Sequence, residues 1–472
     1  MYERMHILTD ADTSKIHAAS VEILKNMGIN FHDPEAIDIF KHHGFKADGI
    51  TVHLEEEQIQ QALSTAPAQF QLFARNPEKD VTIGGNHLVL APGYGASLMI
   101  DPDMNQRSGV MEDYDNFCRL VQTSKVIDMS CCLMIDPSDR PPKQSHLDML
   151  KSNICLCDKP FLGSSTSREA ALDAMEMAGI AWGGKDQIQD KPIIIGMISS
   201  LSPLQYSAEM AGALIEYARH GQVNMIGLLM MAGTTGPVTL PGLLALQNAE
   251  MLAGVVLSQL VNPGSPVIYG STSTATDMRT GSPTIGAPEL SMIQNATAQM
   301  AKYYKLPCRG SGALTDAHCL DIQAGIESTQ ALTATIMSGA NLILHACGIL
   351  GSYQSMSFQK FIADEEICGM LRHMLKPIEV TEERLDLDTI RSVGIGNEYL
   401  THPDTLAHCR TEFYQTNVMS RDDYTTWQGK GGKNLPDHLL EIYEKRLQAY
   451  EKPDIAPGIE RDLERYIQSR TG

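Results

Sequence analysis

Apolar positions along the chain fall into two alternating patterns. Short runs rich in aliphatic and β-branched residues occupy 129–135, 160–163, 192–197, 223–229, 266–270, 306–310 and 341–345. Runs this short, apolar on both faces, read as buried parallel strands. Between them apolar residues recur at three and four spacing over 145–156, 168–181, 206–218, 243–260, 288–304 and 321–337, the pattern of crossover helices packed on one side. Strand centres stand about 30 to 42 residues apart, the length of one strand, loop, helix and return. An eighth strand falls at 87–91 or 96–100, a helix follows over 112–124, and a last helix over 358–374 completes eight units. The expected fold class is α/β, a (β/α)8 or TIM barrel over 84–376. An open doubly wound sheet would call for Gly-x-Gly-x-x-Gly after its first strand, and none occurs in that context.

The flanks read differently. Residues 1–83 carry two amphipathic helices, near 12–27 and 55–66, and are expected to form an N-terminal helical cap or a homo-oligomer contact. Residues 377–472 are charged, with helical segments at 438–450 and 457–468, and are expected to form a C-terminal extension that wraps the barrel with the N-terminal segment.

Composition narrows the setting. Lys and Arg total 37 against 57 Asp and Glu, a net charge of −20, and no local basic stripe offers a nucleic acid a landing site. The ten cysteines are scattered with no Cys-x-x-Cys, which fits reduced thiols and a cytoplasmic location. The N-terminal residues lack a signal-peptide core, and Gly, Glu or Gln interrupts each apolar run short of the ~20 residues a bilayer span needs, so no membrane helix is expected.

In such a barrel the chemistry sits where strands end. That selects Tyr94, Ser199 and Ser200, the 233–237 loop, Ser271 to Thr274, Arg309 to Asp316, and His345 with the aromatic loop 353–361. No Lys stands at a strand end and no Ser, His and acid follow a nucleophile-elbow order, so Schiff-base and acyl-enzyme chemistry find no support. The aromatic content points to binding. Tyr94, Tyr353, Phe358 and Phe361 offer ring faces to a quaternary ammonium, whose permanent charge cannot be shed by deprotonation. Arg309 and His345 offer a carboxylate its partners. His318 and Cys319, with Cys308 and Cys347 nearby, include zinc-ligand types, but neighbours on a strand point to opposite faces, and buried free thiols are the better reading. The acidic run Asp364-Glu365-Glu366 reads as a solvated helix end or as a contact for a partner.

Several longer stretches match a known family in order: 232–240 around Gly233-Thr234-Thr235-Gly236-Pro237, 276–283 from Thr276 to Pro283, Gly312-Ala313-Leu314-Thr315-Asp316, Gln323-Ala324-Gly325, and Ala340-Asn341-Leu342-Ile343. Over nearly its whole length the chain resembles the trimethylamine methyltransferase family of corrinoid-dependent enzymes. The trimethylamine-specific members carry a pyrrolysine near the segment matching Thr315-Asp316; here 315–319 are ordinary residues, so the resemblance is to the pyrrolysine-free branch. It implies demethylation of a quaternary amine, with glycine betaine first and proline betaine or carnitine as alternatives, onto the Co(I) of a separate corrinoid protein. No Asp-x-His-x-x-Gly is present, so the chain is expected to bind no cofactor itself. The expected substrate-binding residues are Tyr94 and Phe358 at the ammonium and Arg309 and His345 at the carboxylate. No residue acts as acid, base or nucleophile, and positioning is the whole task. A non-catalytic betaine-binding protein would carry the same cage.

Overall fold

The computed structural model describes residues 4–184, 187, 188 and 191–471. Eight parallel strands form one sheet: β1 (Val89–Leu90), β2 (Ser130–Cys131), β3 (Phe161–Leu162), β4 (Ile194–Ser199), β5 (Val223–Gly227), β6 (Val267–Gly270), β7 (Cys308–Ser311) and β8 (Leu342–Leu344). Their spatial order is β1, β8, β7, β6, β5, β4, β3, β2. The two ends meet where the backbone N–H groups of Asp128 and Met129 donate to the Leu90 carbonyl, at 2.9 and 3.3 Å. The Asp128 carboxylate accepts in return from the Leu90 N–H at 2.8 Å. The sheet closes into the expected barrel, and eight helices follow the strands in turn: α1 (Met111–Thr123), α2 (Pro142–Leu156), α3 (Arg168–Ala181), α4 (Ala208–Arg219), α5 (Leu240–Val261), α6 (Pro288–Tyr303), α7 (Ile322–Ser338) and α8 (Phe358–Met374).

The central strands form where the sequence is apolar on both faces. Ile195 to Ser199 of β4 pair with Val223 to Gly227 of β5, and every residue of β5 is buried. Of the two segments competing for the remaining strand, 87–91 supplies β1. The other, Leu98–Ile100, pairs with Gln106–Ser108 and Ser355–Met356 in a small rim sheet joining the loops after β1 and β8. The 129–135 run contributes only Ser130 and Cys131 to the barrel, and its end at Ile135 bridges to Ala96 instead. A second rim sheet, of Met231–Ala232, Thr274–Thr276 and Pro283–Thr284, joins the loops after β5 and β6.

Helix α5 has the length and composition of a membrane span, with a mean hydropathy of 1.4 over 18 residues, and 78% of that window is buried inside the fold. Its apolar surface is already covered, by the N-terminal helices Asp10–Asn26, Pro34–His42 and Glu56–Thr65 on one side and by its barrel neighbours on the other. The second of those N-terminal helices is announced by Asp33, whose side chain caps it, and by Pro34 at its first turn. Near the chain's other end, Leu435–Gln448 packs on α8 and α1, and Ile459–Thr471 packs on α2 and α3.

Candidate functional site

The loops at the C-terminal ends of β1, β7 and β8 bring Tyr94, Arg309 and His345 together. Arg309 projects from β7 and is 1% exposed. Its Nη2 donates to Nδ1 of His345 at 3.4 Å. The other side of that imidazole, Nε2, lies 3.2 Å from the Tyr94 carbonyl oxygen. A guanidinium only donates and a carbonyl only accepts, so His345 is the neutral tautomer with its proton on Nε2. Burial, and then the charge of Arg309, push the His345 pKa well below its ordinary value, in agreement with that geometry.

Two aromatic rings flank the imidazole. The Tyr353 ring centroid is 5.0 Å from it and that of Tyr94 is 6.5 Å away, both inclined edge-on. Burial raises both phenols, Tyr353 to about 12, so both keep their protons. His345, Ser352 and Tyr353 all take positive φ, at 64°, 53° and 73°. Such conformations cost about 1–3 kcal/mol each in a non-glycine residue and gather where function demands them.

Two buried polar atoms here, Nε and Nη1 of Arg309, have no partner within the protein, and the Tyr353 hydroxyl faces the hydroxyls of Ser311 and Thr272. None of the ion pairs among the described residues involves Arg309. Burial lowers its pKa to about 10, which still leaves it a cation at neutral pH. A buried cation without a counter-ion is a place where an anionic group can be taken up.

Phe358 stands apart from this group. It opens α8 with its ring stacked on Tyr443 at 4.4 Å and against Phe117 at 4.6 Å, joining α8 to α1 and to the helix Leu435–Gln448. Phe361, one helical turn on, faces Phe117 as well and is fully buried. Their spacing of three puts both rings on the packing face of α8, so of the four aromatics named from the sequence only Tyr94 and Tyr353 reach the site.

Supporting contacts escaped the sequence reading. The run 364–366 is no solvated helix end. Asp364 is fully buried against Lys360, 2.5 Å away, and Asp364 also accepts from the Gly348 N–H while Lys360 reaches the Ala313 carbonyl and the Ser328 hydroxyl. This pair ties α8 to the loops after β7 and β8. The i,i+4 spacing of Lys360 and Asp364 was the available signal. Glu365 pairs with Arg446 and accepts from Ser124. Asp316 accepts from the backbone of Ile285 and Gly286 and from the Ser352 hydroxyl, and Glu327 accepts from the hydroxyl of Thr315 and the N–H of Asp316. The loops after β6, β7 and β8 are thereby pinned together. Gly312 permits the closest approach: a Cβ there would lie 2.1 Å from the His345 carbonyl oxygen. His318 is exposed while Cys308 and Cys347 are buried, and among the described residues no three His, Cys, Asp or Glu side chains converge on one point.

Comparison with known proteins bears on what this site serves. The family model described as Trimethylamine methyltransferase (MTTB) matches residues 1–472. The chain is 42% identical, over 99% of its length and 97% of the relative's, to a glycine betaine methyltransferase of Desulfitobacterium hafniense (strain Y51). It is 32% identical, over 97% and 96% of the two chains, to a proline betaine:corrinoid methyltransferase of Eubacterium limosum. Among solved structures, the monomethylamine methyltransferase of Methanosarcina barkeri superposes with a TM-score of 0.55 at 13% identity, covering 98% of this chain and 88% of that one, a likeness of fold.

Proposed function

The chain belongs to the trimethylamine methyltransferase family, and from that premise we propose that it transfers one methyl group from glycine betaine to the Co(I) of a separate corrinoid protein, leaving dimethylglycine. The observation that carries the choice of substrate is Arg309, a buried guanidinium with two unpaired nitrogens and no protein counter-ion. Trimethylamine would leave that charge uncompensated; the betaine carboxylate answers it, with the Ser311 hydroxyl as a further donor.

The reduced corrinoid supplies the nucleophile for the methyl carbon. The C–N bond breaks with its electron pair on nitrogen, and the amine leaves neutral, so no acid has to protonate it. What falls to this chain is geometry. Arg309 fixes the carboxylate, and neutral His345 holds the Arg309 side chain without adding a second positive charge beside the ammonium. The rings of Tyr94 and Tyr353 are the faces on which the trimethylammonium rests. Their protonated phenols place no anion next to it, so the cation is held by ring faces and stays free to turn one methyl toward the mouth.

The ordinary residues at 315–319 support a place in the pyrrolysine-free branch. Its ten cysteines are free thiols, consistent with the reducing cytoplasmic surroundings that Co(I) requires. The purified chain, mixed with reduced corrinoid protein and each of glycine betaine, proline betaine, carnitine and trimethylamine, tests the reading by mass spectrometry of the demethylated product. Dimethylglycine as the favoured product supports it. Preference for trimethylamine, or betaine binding with no product, overturns it.

A further inference from the structure

The ladder between β6 and β7 ends one rung short of the site. Tyr269 pairs with Cys308 and Gly270 with Arg309, where the pairing stops. On its other side β7 runs on, with Ser311 paired to Leu344 of β8. Bonds in a parallel ladder are evenly spaced along the strands, so the next rung would take the Ser311 N–H to the Ser271 carbonyl. An amide occupies that rung instead. Gln294 of α6 donates from Nε2 to the Ser271 carbonyl oxygen at 2.5 Å, and its Oε1 accepts from the Ser311 N–H at 3.1 Å.

Gln294 is 2% exposed, and its amide serves these two backbone groups. A primary amide carries a donor and an acceptor side by side, so it satisfies both groups that the missing rung would leave buried and unpaired. It also keeps the strands one amide apart where a direct bond would close them. Thr272 follows Ser271 on one side of this opening and Ser311 lies on the other, and the Tyr353 hydroxyl faces both of their hydroxyls. Arg309 stands two residues before Ser311 on β7.

We propose that Gln294 is a positioning residue for the methyl transfer: its amide sets the opening between β6 and β7, and with it the place of Arg309 relative to Tyr353. The assignment rests on the reading of the site above, in which Arg309 takes the betaine carboxylate and the Tyr353 ring the ammonium. Gln294 meets neither the substrate nor the cobalt. A zwitterion held at two points turns when one point moves, so closing the opening tilts the methyl group out of line while both binding groups remain. The loss should therefore fall on kcat more than on betaine binding.

Substitutions at Gln294 and at a control glutamine test the proposal. Gln294→Met keeps the volume and removes both bonds. In methyl transfer to reduced corrinoid protein its kcat should fall by about tenfold or more, with circular dichroism retained and the calorimetric betaine dissociation constant changed far less. Gln294→Glu adds a pH readout. Protonated, its carboxyl donates and accepts as the amide does; ionised, it only accepts and opposes the Ser271 carbonyl. Its turnover should be restored on acidification and decline as pH rises through the pKa of the new carboxyl, a decline that wild type and Gln294→Met lack. Gln299, also on α6, makes a comparable clamp on the backbone of Ile7 and Leu8; Gln299→Met should lower the melting temperature and leave kcat unchanged. Wild-type kcat in Gln294→Met, an equal fall in Gln299→Met, or a Glu variant no more active than the Met variant at any pH overturns the assignment alone. A wild-type chain that forms no dimethylglycine overturns the betaine reading and the assignment with it.

Discussion

Arg309 and His345 share one hydrogen bond, Nη2 to Nδ1 at 3.4 Å, in which a buried cation leans on a base that stays neutral at neutral pH. The pairing aims the guanidinium without neutralising it and leaves Nε and Nη1 unsatisfied. Replacing Arg309 with Met should therefore separate stability from function. The free protein should become more stable, by about 1–3 kcal/mol, since an uncompensated buried charge is removed at similar volume. Betaine should no longer raise the melting temperature. Thermal denaturation with and without betaine reads both effects, and a variant that loses stability would show the charge to be balanced within the protein.

The pH dependence of stability carries the mark of His345. Its pKa in the folded chain lies well below the ordinary value, so the unfolded chain takes up the proton first as pH falls. The stability associated with this group is fully present above the unfolded pKa of about 6.5 and is lost progressively as pH drops toward the folded value. Gln can donate to the Tyr94 carbonyl and accept from Arg309, yet does not titrate. Urea unfolding of His345→Gln and wild type at neutral and mildly acidic pH should show the variant losing less stability on acidification.

Aromatic substitutions divide the cage from the core. Tyr94→Ala or Tyr353→Ala should weaken betaine binding by ~0.5–2 kcal/mol through the lost ring face, with choline affected about equally because it carries the same cation. Phe358→Ala should leave binding near wild type and lower stability by about 2–4 kcal/mol, because its ring is wedged between Phe117 and Tyr443. Calorimetric titration with both ligands, alongside chemical denaturation, separates the two classes. Loss of binding in Phe358→Ala at unchanged stability would return that ring to the cage.

These contrasts show where the sequence was legible. Central strands such as β4 and β5 announce themselves because both faces are buried and their runs are uninterrupted. The first strand was ambiguous because Leu98–Ile100, equally apolar, serves the rim sheet, and its pairing with Ser355–Met356 is a contact across some 250 residues that no local pattern reveals. Strand-end logic named Tyr94, Arg309 and His345, which the fold brings into contact at the ends of β1, β7 and β8. It overreached at Phe358, where the phase of a helix, and not the nearness of a strand end, determines the direction of the ring. The Lys360 and Asp364 pair was hard to read because charged residues inside invert the expectation that polarity reports burial.

Gly312 offers the sharpest test of the site's geometry. A Cβ at this position would meet the carbonyl oxygen, the carbonyl carbon and the following nitrogen of the His345 linkage at 2.1, 2.2 and 2.4 Å. All three are backbone atoms, and the Ala313 N–H is bonded to that same carbonyl at 2.9 Å, so neither side can give way by rotating a side chain. Gly312→Ala must push the end of β7 away from the loop after β8, carrying Arg309 and His345 apart where their hydrogen bond is already long. A shift of this size at a positioning contact, distant from any bond that breaks, can cost a factor of about 100 in rate. The expected variant retains its circular dichroism, binds betaine weakly and forms dimethylglycine at a small fraction of the wild-type rate. Ser311→Ala, which removes one hydroxyl without moving the backbone, should lose far less. Equal activity in Gly312→Ala and wild type would mean that the spacing between β7 and His345 does not govern the orientation of the methyl group.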